Sequence, residues 1–244
     1  MYTKPRFLPG GDSALFMEFG CAISPGIGEK VRSISLAIHD AQILGVNELV
    51  PTYRSLLVYF NPLVITSEEL QAALELLLQE ARSSKSPEPI VSKIPVLYGS
   101  EFGPDLGYVA RYHNITPEEV IKIHTSTIYP IYMLGFMPGF AYLGGVSEKI
   151  ATPRLTTPRT RVPAGSVGIA GTQTGIYPSD SPGGWQIIGR TPVKLFDPKR
   201  EPPSPLKAGN YLDFFSITAG EFGRITEEVA QGICEIQETK LNEK

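Results

Sequence analysis

Three arginines, Arg154, Arg159 and Arg161, fall within eight positions of "PRLTTPRTRVPAGSVGIAG" (residues 153–171), a stretch with three prolines and no acidic residue. Between residues 151 and 196 the cations are Arg154, Arg159, Arg161, Arg190 and Lys194, and the only acid is Asp180. Five positive charges against one give a local charge of +4, in a chain whose formal net charge is −3. A guanidinium presents a planar fork of N–H donors that matches the paired oxygens of a carboxylate or phosphate, and proline-fixed loops hold such forks in place. Any one of these arginines could instead bond loop carbonyls or form an ordinary ion pair. Taken together, Arg154, Arg159, Arg161 and Arg190 point to an anion-recognising cleft.

Two glycine-rich stretches flank the arginines. "GFMPGFAYLGG" (135–145) alternates glycine or proline with aromatics, and "TGIYPSDSPGGWQIIGR" (174–190) carries the single tryptophan, Trp185, directly after Gly183 and Gly184. Paired glycines let backbone N–H groups approach a ligand, while most other glycines here read as tight turns around core aromatics. Three histidines are present. His39 reads as a surface or packing residue, and His113 ends a short helix whose dipole its charge would complement. His124 precedes the strand leading into "GFMPGF", so it is either structural or faces the same cleft. No zinc constellation, GxxxxGK[ST] loop, GxSxG elbow or HExxH appears. A chain without a recognisable nucleophile of its own points to a shared active site or a binding role.

The elements that must position these residues are legible in part. "ALFMEF" (14–19) reads as a strand after the turn residues Pro9-Gly10-Gly11-Asp12. Ser24 and Pro25 then open a helix as N-cap and first helical residue, with Ile27, Val31, Ile34, Leu36 and Ile38 at roughly helical spacing and Gly45 as its stop. Strands follow around 48–60, then a helix over 66–81 capped by Thr66 or Ser67 with Glu69 placed for a capping box, then a strand over 90–98. The order β-α-β-β-α-β is that of a ferredoxin-like unit, although the last strand could belong to either side of the polar hinge "RSSKSPEP" (82–89). Short helices are expected over 104–113 and 116–125, the second with Thr116 as cap and Pro117 at its first position. Residues 135–192 hold 11 glycines and 7 prolines in 58 positions, well above the usual roughly 12%. Apolar pieces such as "SVGIAG", "WQIIG" and "VKLFD" interrupt them, a pattern of short strands in a barrel or sandwich. "EFGRITEEVAQG" suits strand or helix, and the last polar residues read as frayed.

Composition sets bounds on function. The chain of 244 residues is 42% hydrophobic and 19% charged, as expected of a globular protein with a sizeable core. A pI near 5.7 argues against a general nucleic-acid or acidic-membrane binder. Cys21 and Cys234 lie far apart and read as reduced thiols. No apolar run approaches the ~18–20 residues of a membrane span, and the N-terminus lacks a signal core, so a cytoplasmic protein is expected.

"YMLGFMPGFAYLGG", "PRLTTPRTRVPAGSVGIAGTQTGIYP" and "SPGGWQIIGRTPVKLFDP" resemble the allophanate hydrolase subunit 1 family. The dense match covers about residues 124–198, with looser agreement at "YGSEFGPDLGYVA" (98–110) and "GDSALFMEFG". The family includes the B component of bacterial 5-oxoprolinase and a KipI-type inhibitor of a sensor histidine kinase, and related barrels act in urea and allophanate metabolism. The resemblance implies an α+β protein: an N-terminal ferredoxin-like α/β domain, residues 1–86, then a C-terminal cyclophilin-like β-barrel domain, residues 87–236. It also implies a heteromeric complex with a C component of allophanate hydrolase subunit 2 type and an A component of lactam-utilisation type. Their reaction would be the ATP-dependent opening of 5-oxo-L-proline to L-glutamate, with ATP and Mg²⁺ held by the complex and this chain inactive alone. The kinase-inhibitor and urea or allophanate roles stand as alternatives, although no biotinylation motif or carboxylase domain is present. Residue chemistry then suggests roles. Arg154, Arg159, Arg161 and Arg190 would bind substrate or phosphate oxygens, and Gly183 and Gly184 would offer backbone donors. His124 would transfer a proton, and Asp180 would act as base or Mg²⁺ ligand.

Overall fold

Ser24 and Pro25 begin helix α1 (Pro25–Ala41) as their residue types dictate: the Ser24 hydroxyl accepts the Ile27 N–H, and Pro25 has no N–H to leave unsatisfied. Ile27, Val31, Ile34 and Ile38 form its buried stripe. Leu36 falls off that stripe and is exposed, and the helix stops earlier than Gly45, at Gln42 in the left-handed conformation with φ 46°. The computed structural model describes residues 1–80 and 88–241, and two compact units divide the chain at Met1–Pro87 and Glu88–Lys244. Residues 82–87 of the hinge and the final residues 242–244 lie outside the described residues.

In the first unit β1 (Arg6–Pro9), β2 (Ala14–Glu18), β3 (Val46–Pro51) and β4 (Ser55–Phe60) make an antiparallel sheet of order β1-β2-β4-β3. Leu15 and Met17 of β2 and Leu56 and Val58 of β4 pack into one core with α1 and with Leu70 and Leu74 of α2 (Ser67–Glu80). Thr66 caps α2, and the Glu69 carboxylate returns a bond to the Thr66 N–H. The sheet takes its fourth strand from Arg6–Pro9, not from residues 90–98. The element order is therefore ββαββα, which departs from the expected ferredoxin-like order because Ile90–Tyr98 pairs elsewhere.

That strand, β5 (Ile90–Tyr98), belongs to the second unit. There β6 (Ile128–Leu134), β7 (Ala141–Gly144), β9 (Ser166–Ala170), β10 (Gln173–Ile176), β12 (Gln186–Arg190) and β13 (Tyr211–Ser216) join it in the order β12-β9-β10-β7-β6-β13-β5. Pairing of β12 with β5 closes the seven strands into a barrel, which decides between barrel and sandwich. Strand β14 (Glu238–Lys240) adds to β5, and β8 (Arg159–Val162) forms a separate ribbon with β11 (Ser181–Gly183). "VKLFD" is not a strand, but Val193 and Leu195 still bury in the barrel core. Helices α3 (Leu106–Tyr112), α4 (Pro117–Thr125) and α5 (Ala219–Ala230) complete the unit, and capping boxes at Thr116 and Thr218 start the last two. The ambiguous "EFGRITEEVAQG" is thus helical. The barrel's apolar filling, including Val96, Tyr129, Leu143, Ile169, Ile188 and Phe214, fixes the registers that place the site.

Candidate functional site

Because strand side chains alternate, the residues next to the barrel's inward Leu143, Ile176, Ile169 and Ile188 point outward. Cross-strand register aligns Tyr142 (β7), Gly175 (β10), Gly168 (β9) and Ile187 (β12) in one outer row. The two glycines leave a floor without side chains, and Trp185 lies on it. A Cβ at Gly168 would stand 3.1 Å from the Trp185 Cβ, and one at Gly175 would stand 3.1 Å from Trp185 Cζ3 and 3.4 Å from Phe140 Cζ. Phe140 meets Trp185 edge to face at 5.7 Å and Tyr177 at 5.5 Å, the arrangement that ring quadrupoles favour. Val162, Ala170 and Ile187 fill in around these rings. The product is a rigid platform of closely packed rings on the outer face of the barrel, with Phe140, Tyr177 and Trp185 themselves at most 5% exposed.

Two arginines stand at this platform. The Arg154 guanidinium lies 5.7 Å from the centre of the Trp185 ring, is exposed, and has no carboxylate partner among the described residues. Arg159, opposite Gly183 in the β8–β11 ribbon, donates from Nη2 to Asp105 Oδ1 at 2.7 Å, and its Nη1 lies 3.5 Å from the Trp185 carbonyl. Both arginines reach the Tyr177 phenol electrostatically. Burial raises the pKa of that phenol, while the Trp185 N–H it accepts and the two cations pull it down. The Tyr142 hydroxyl is likewise pushed up by burial, against the pull of Arg154. Both phenols are therefore neutral hydrogen-bonding groups at physiological pH.

The remaining expected residues are arranged differently. Arg161 bonds Asp180, through Nε at 2.8 Å and Nη2 at 2.6 Å, on an exposed surface, and Asp180 also accepts the Ala164 N–H at 2.8 Å. These donors hold the Asp180 carboxyl below its usual range, the Ala164 N–H first and Arg161 next, so it is a poor base. Both its oxygens already serve donors, and no group of three or more His, Cys, Asp or Glu suited to a metal occurs among the described residues. Asp180, expected as base or Mg²⁺ ligand, is thus engaged with Arg161 and the Ala164 N–H. Arg190 lies 5.4 Å from the Phe102 ring, keeps a buried Nε without a partner, and adds to the field at Asp180. Lys194 is paired with Asp197 at 2.9 Å. The local charge of +4 is therefore halved: Asp105 and Asp197, both outside the counted window, join Asp180 against three of the five cations, leaving Arg154 and Arg190.

Gly183 owes its identity to packing, since a Cβ there would stand 2.5 Å from the Tyr177 hydroxyl oxygen. Gly184 supplies a carbonyl, which accepts the Leu155 N–H at 2.7 Å. His124, expected as a proton-transfer group, lies apart from the arginines. It is fully buried inside the barrel, with Nδ1 2.8 Å from Tyr98 Oη and Nε2 3.0 Å from Thr174 Oγ1. Desolvation depresses its pKa to about 3, so the neutral imidazole is favoured. Sequence reasoning missed Asp105 altogether, because its partner is 54 residues away and its own surroundings, "GPDLG", read only as the start of a helix. It also missed Phe136, an exposed aromatic held at φ 69° with its ring 5.7 Å from Phe140.

The described residues thus form an α+β chain with a closed seven-stranded barrel that carries arginines on its outer face. The chain belongs to the family described as carboxyltransferase domain, subdomain C and D, whose profile matches residues 5–206. Within that family it is similar to the B component of 5-oxoprolinase from Bacillus subtilis (strain 168), being 42% identical over 228 residues that cover 89% of this chain and 95% of the relative. It is 48% identical over 172 residues to the corresponding 5-oxoprolinase component of Haemophilus influenzae, covering 70% of this chain and 76% of that protein. These matches place it in the group its motifs resemble. The urea carboxylase of Kluyveromyces lactis shares the fold, with TM-score 0.78 at 20% identity over 97% of this chain, which spans 24% of that longer chain.

Proposed function

We propose that this chain is the B component of an ATP-dependent 5-oxoprolinase, inactive alone, which converts 5-oxo-L-proline to L-glutamate with A and C components as partners. The observation that carries the reading is the 42% identity to a 5-oxoprolinase B component across 95% of that relative's length. On this reading the barrel is of cyclophilin-like type, the protein is cytoplasmic, and ATP and Mg²⁺ are held by the complex.

The platform suits such a substrate. A lactam is flat and weakly polar on its faces, and its carboxylate is a fork of two oxygens. The exposed ring of Phe136, seated against Phe140, can take the face, and the unpaired Arg154 can take the carboxylate. Phosphorylating the lactam oxygen would make its carbon a better electrophile and add negative charge, which fixed guanidinium groups stabilise without reorganising. Nothing in the site offers this chain a nucleophile, so chemistry at the carbonyl falls to the assembled complex. Arg161, Arg190 and the backbone at Gly183 and Gly184 lie outside this minimal assignment. They retain a role as a wider electrostatic rim. The test is Arg154→Gln in the reconstituted complex: kcat/KM for 5-oxoproline should fall ~10- to 100-fold, the scale of losing one charge-assisted fork. Turnover equal to that of the unsubstituted complex would overturn the assignment of the site.

A further inference from the structure

Asp105 is the best-buried acid near the platform, with its side chain only 11% exposed, and both of its oxygens and its backbone are committed to the site. Oδ1 accepts Arg159 Nη2 at 2.7 Å, and Oδ2 accepts the Ile187 N–H at 2.6 Å. Its own N–H donates to the Ile187 carbonyl at 2.9 Å, and its carbonyl accepts the Val109 N–H at 2.9 Å as α3 begins. Ile187 belongs to the outer row that floors the platform, and its neighbour Gln186 donates to the Pro153 carbonyl at 2.8 Å, one residue before Arg154. One carboxylate thus ties a helix start, a barrel strand and a guanidinium from a separate ribbon. The turn leading into α3 is built for this approach: a Cβ at Gly103 would stand 2.0 Å from the Ile188 carbonyl oxygen, so only glycine lets that segment lie against β12.

We propose that Asp105 is the positioning residue of the anion site: it holds Arg159 as a rigid fork beside the free fork of Arg154. The proposal rests on the reading of the platform as the substrate site. Its chemistry follows from the donors. A guanidinium has five N–H groups; with Nη2 bonded to Asp105 and Nη1 toward the Trp185 carbonyl, the remaining donors keep a fixed direction. Arg154 has no such anchor and can follow its ligand. The pair therefore combines a rigid and an adaptable cation, suited to a substrate whose charge distribution changes during the reaction. Both groups that face Asp105 are donors, so an asparagine can satisfy only one and turns its NH₂ toward the other.

The test is a double-mutant cycle in the reconstituted complex with Asp105→Asn, Arg159→Met and both together. If Asp105 acts through Arg159, each single change lowers kcat/KM for 5-oxoproline ~10- to 100-fold, and the double variant lies within ~3-fold of Arg159→Met. If Asp105 only braces α3, the two losses multiply, and the proposal is overturned. A second measurement needs neither substrate nor a foldable Asp105 variant. In this chain labelled with ¹⁵N-arginine, the Arg159 guanidinium, assigned by its loss in Arg159→Met, should give separate, slowly averaging Nη signals, while Arg154 gives averaged ones. Averaged Arg159 signals would overturn the proposal even if the complex turns over. A wild-type complex without turnover but with a rigid Arg159 would refute the functional reading and leave the positioning role standing.

Discussion

Acidification should weaken the barrel through one side chain, His124. The Thr174 hydroxyl donates to the Gly168 carbonyl at 2.9 Å, so it must accept from His124 Nε2–H at 3.0 Å. Nδ1 is then left to accept the Tyr98 hydroxyl at 2.8 Å. This chain of donors admits only the neutral Nε2–H tautomer. Burial lowers the pKa in the fold to about 3, against 6.5 when unfolded. The unfolded chain therefore binds a proton between these values while the folded chain does not. The stability that neutrality provides is complete above about pH 7 and is lost as pH falls from about 6.5 toward 3. At pH 5 the unfolded imidazole is favoured by a factor of about 30, a loss of about 2 kcal/mol, and the whole window corresponds to about 5 kcal/mol. Carboxylates titrate nearby, so the variant His124→Gln isolates the effect. It should cost stability at pH 7.5, and that cost should shrink by about 2 kcal/mol at pH 5. Urea unfolding followed by fluorescence reports the barrel unit, because Trp185 is the only tryptophan and lies within it. A cost that is the same at both pH values would refute the buried neutral histidine.

Two glycines should respond differently to alanine. Gly168→Ala meets the Trp185 Cβ at 3.1 Å, the Ile187 Cδ1 at 3.2 Å and the Gln186 carbonyl oxygen at 3.3 Å, contacts that a shift of a few tenths of an ångström can relieve, so a loss of about 1–3 kcal/mol with a shifted Trp185 emission is expected. Gly103→Ala meets a backbone carbonyl at 2.0 Å and should yield little folded protein; normal expression and melting of this variant would contradict the close packing on β12. Phe136, at φ 69° and 67% exposed, should gain up to about 1 kcal/mol on change to glycine, read as a higher urea midpoint. A lower midpoint would mean that its edge contact with Phe140 outweighs the backbone strain.

What the sequence disclosed, and what it withheld, divides by distance along the chain. The caps at Ser24, Thr66 and Thr116 were legible because each acts on an N–H three residues ahead. The closed barrel was foreshadowed by the spacing of glycines, prolines and apolar pieces, since short strands need such turns. Strand β1 went unread because its four residues, "RFLP", carry too little alternation, and their pairing with β2 displaced the expected fourth strand. The count of +4 over residues 151–196 holds, but two of the acids that pair with these cations, Asp105 and Asp197, lie outside that window and so do not show in local composition. His124 lay in the right stretch and on the wrong side of the barrel wall, a distinction set by its bond to Thr174, 50 residues away. Motif resemblance supplied the family; only the folded geometry divides the arginines into one held, one free and one paired on the surface.

The most direct test of the central claim is glutamate formation from 5-oxoproline and ATP, measured with this chain alone, with its A and C partner components, and with those partners when this chain is omitted. Turnover is expected only in the complete mixture. Equal turnover without this chain, or none from a well-formed three-part complex, would contradict the assignment.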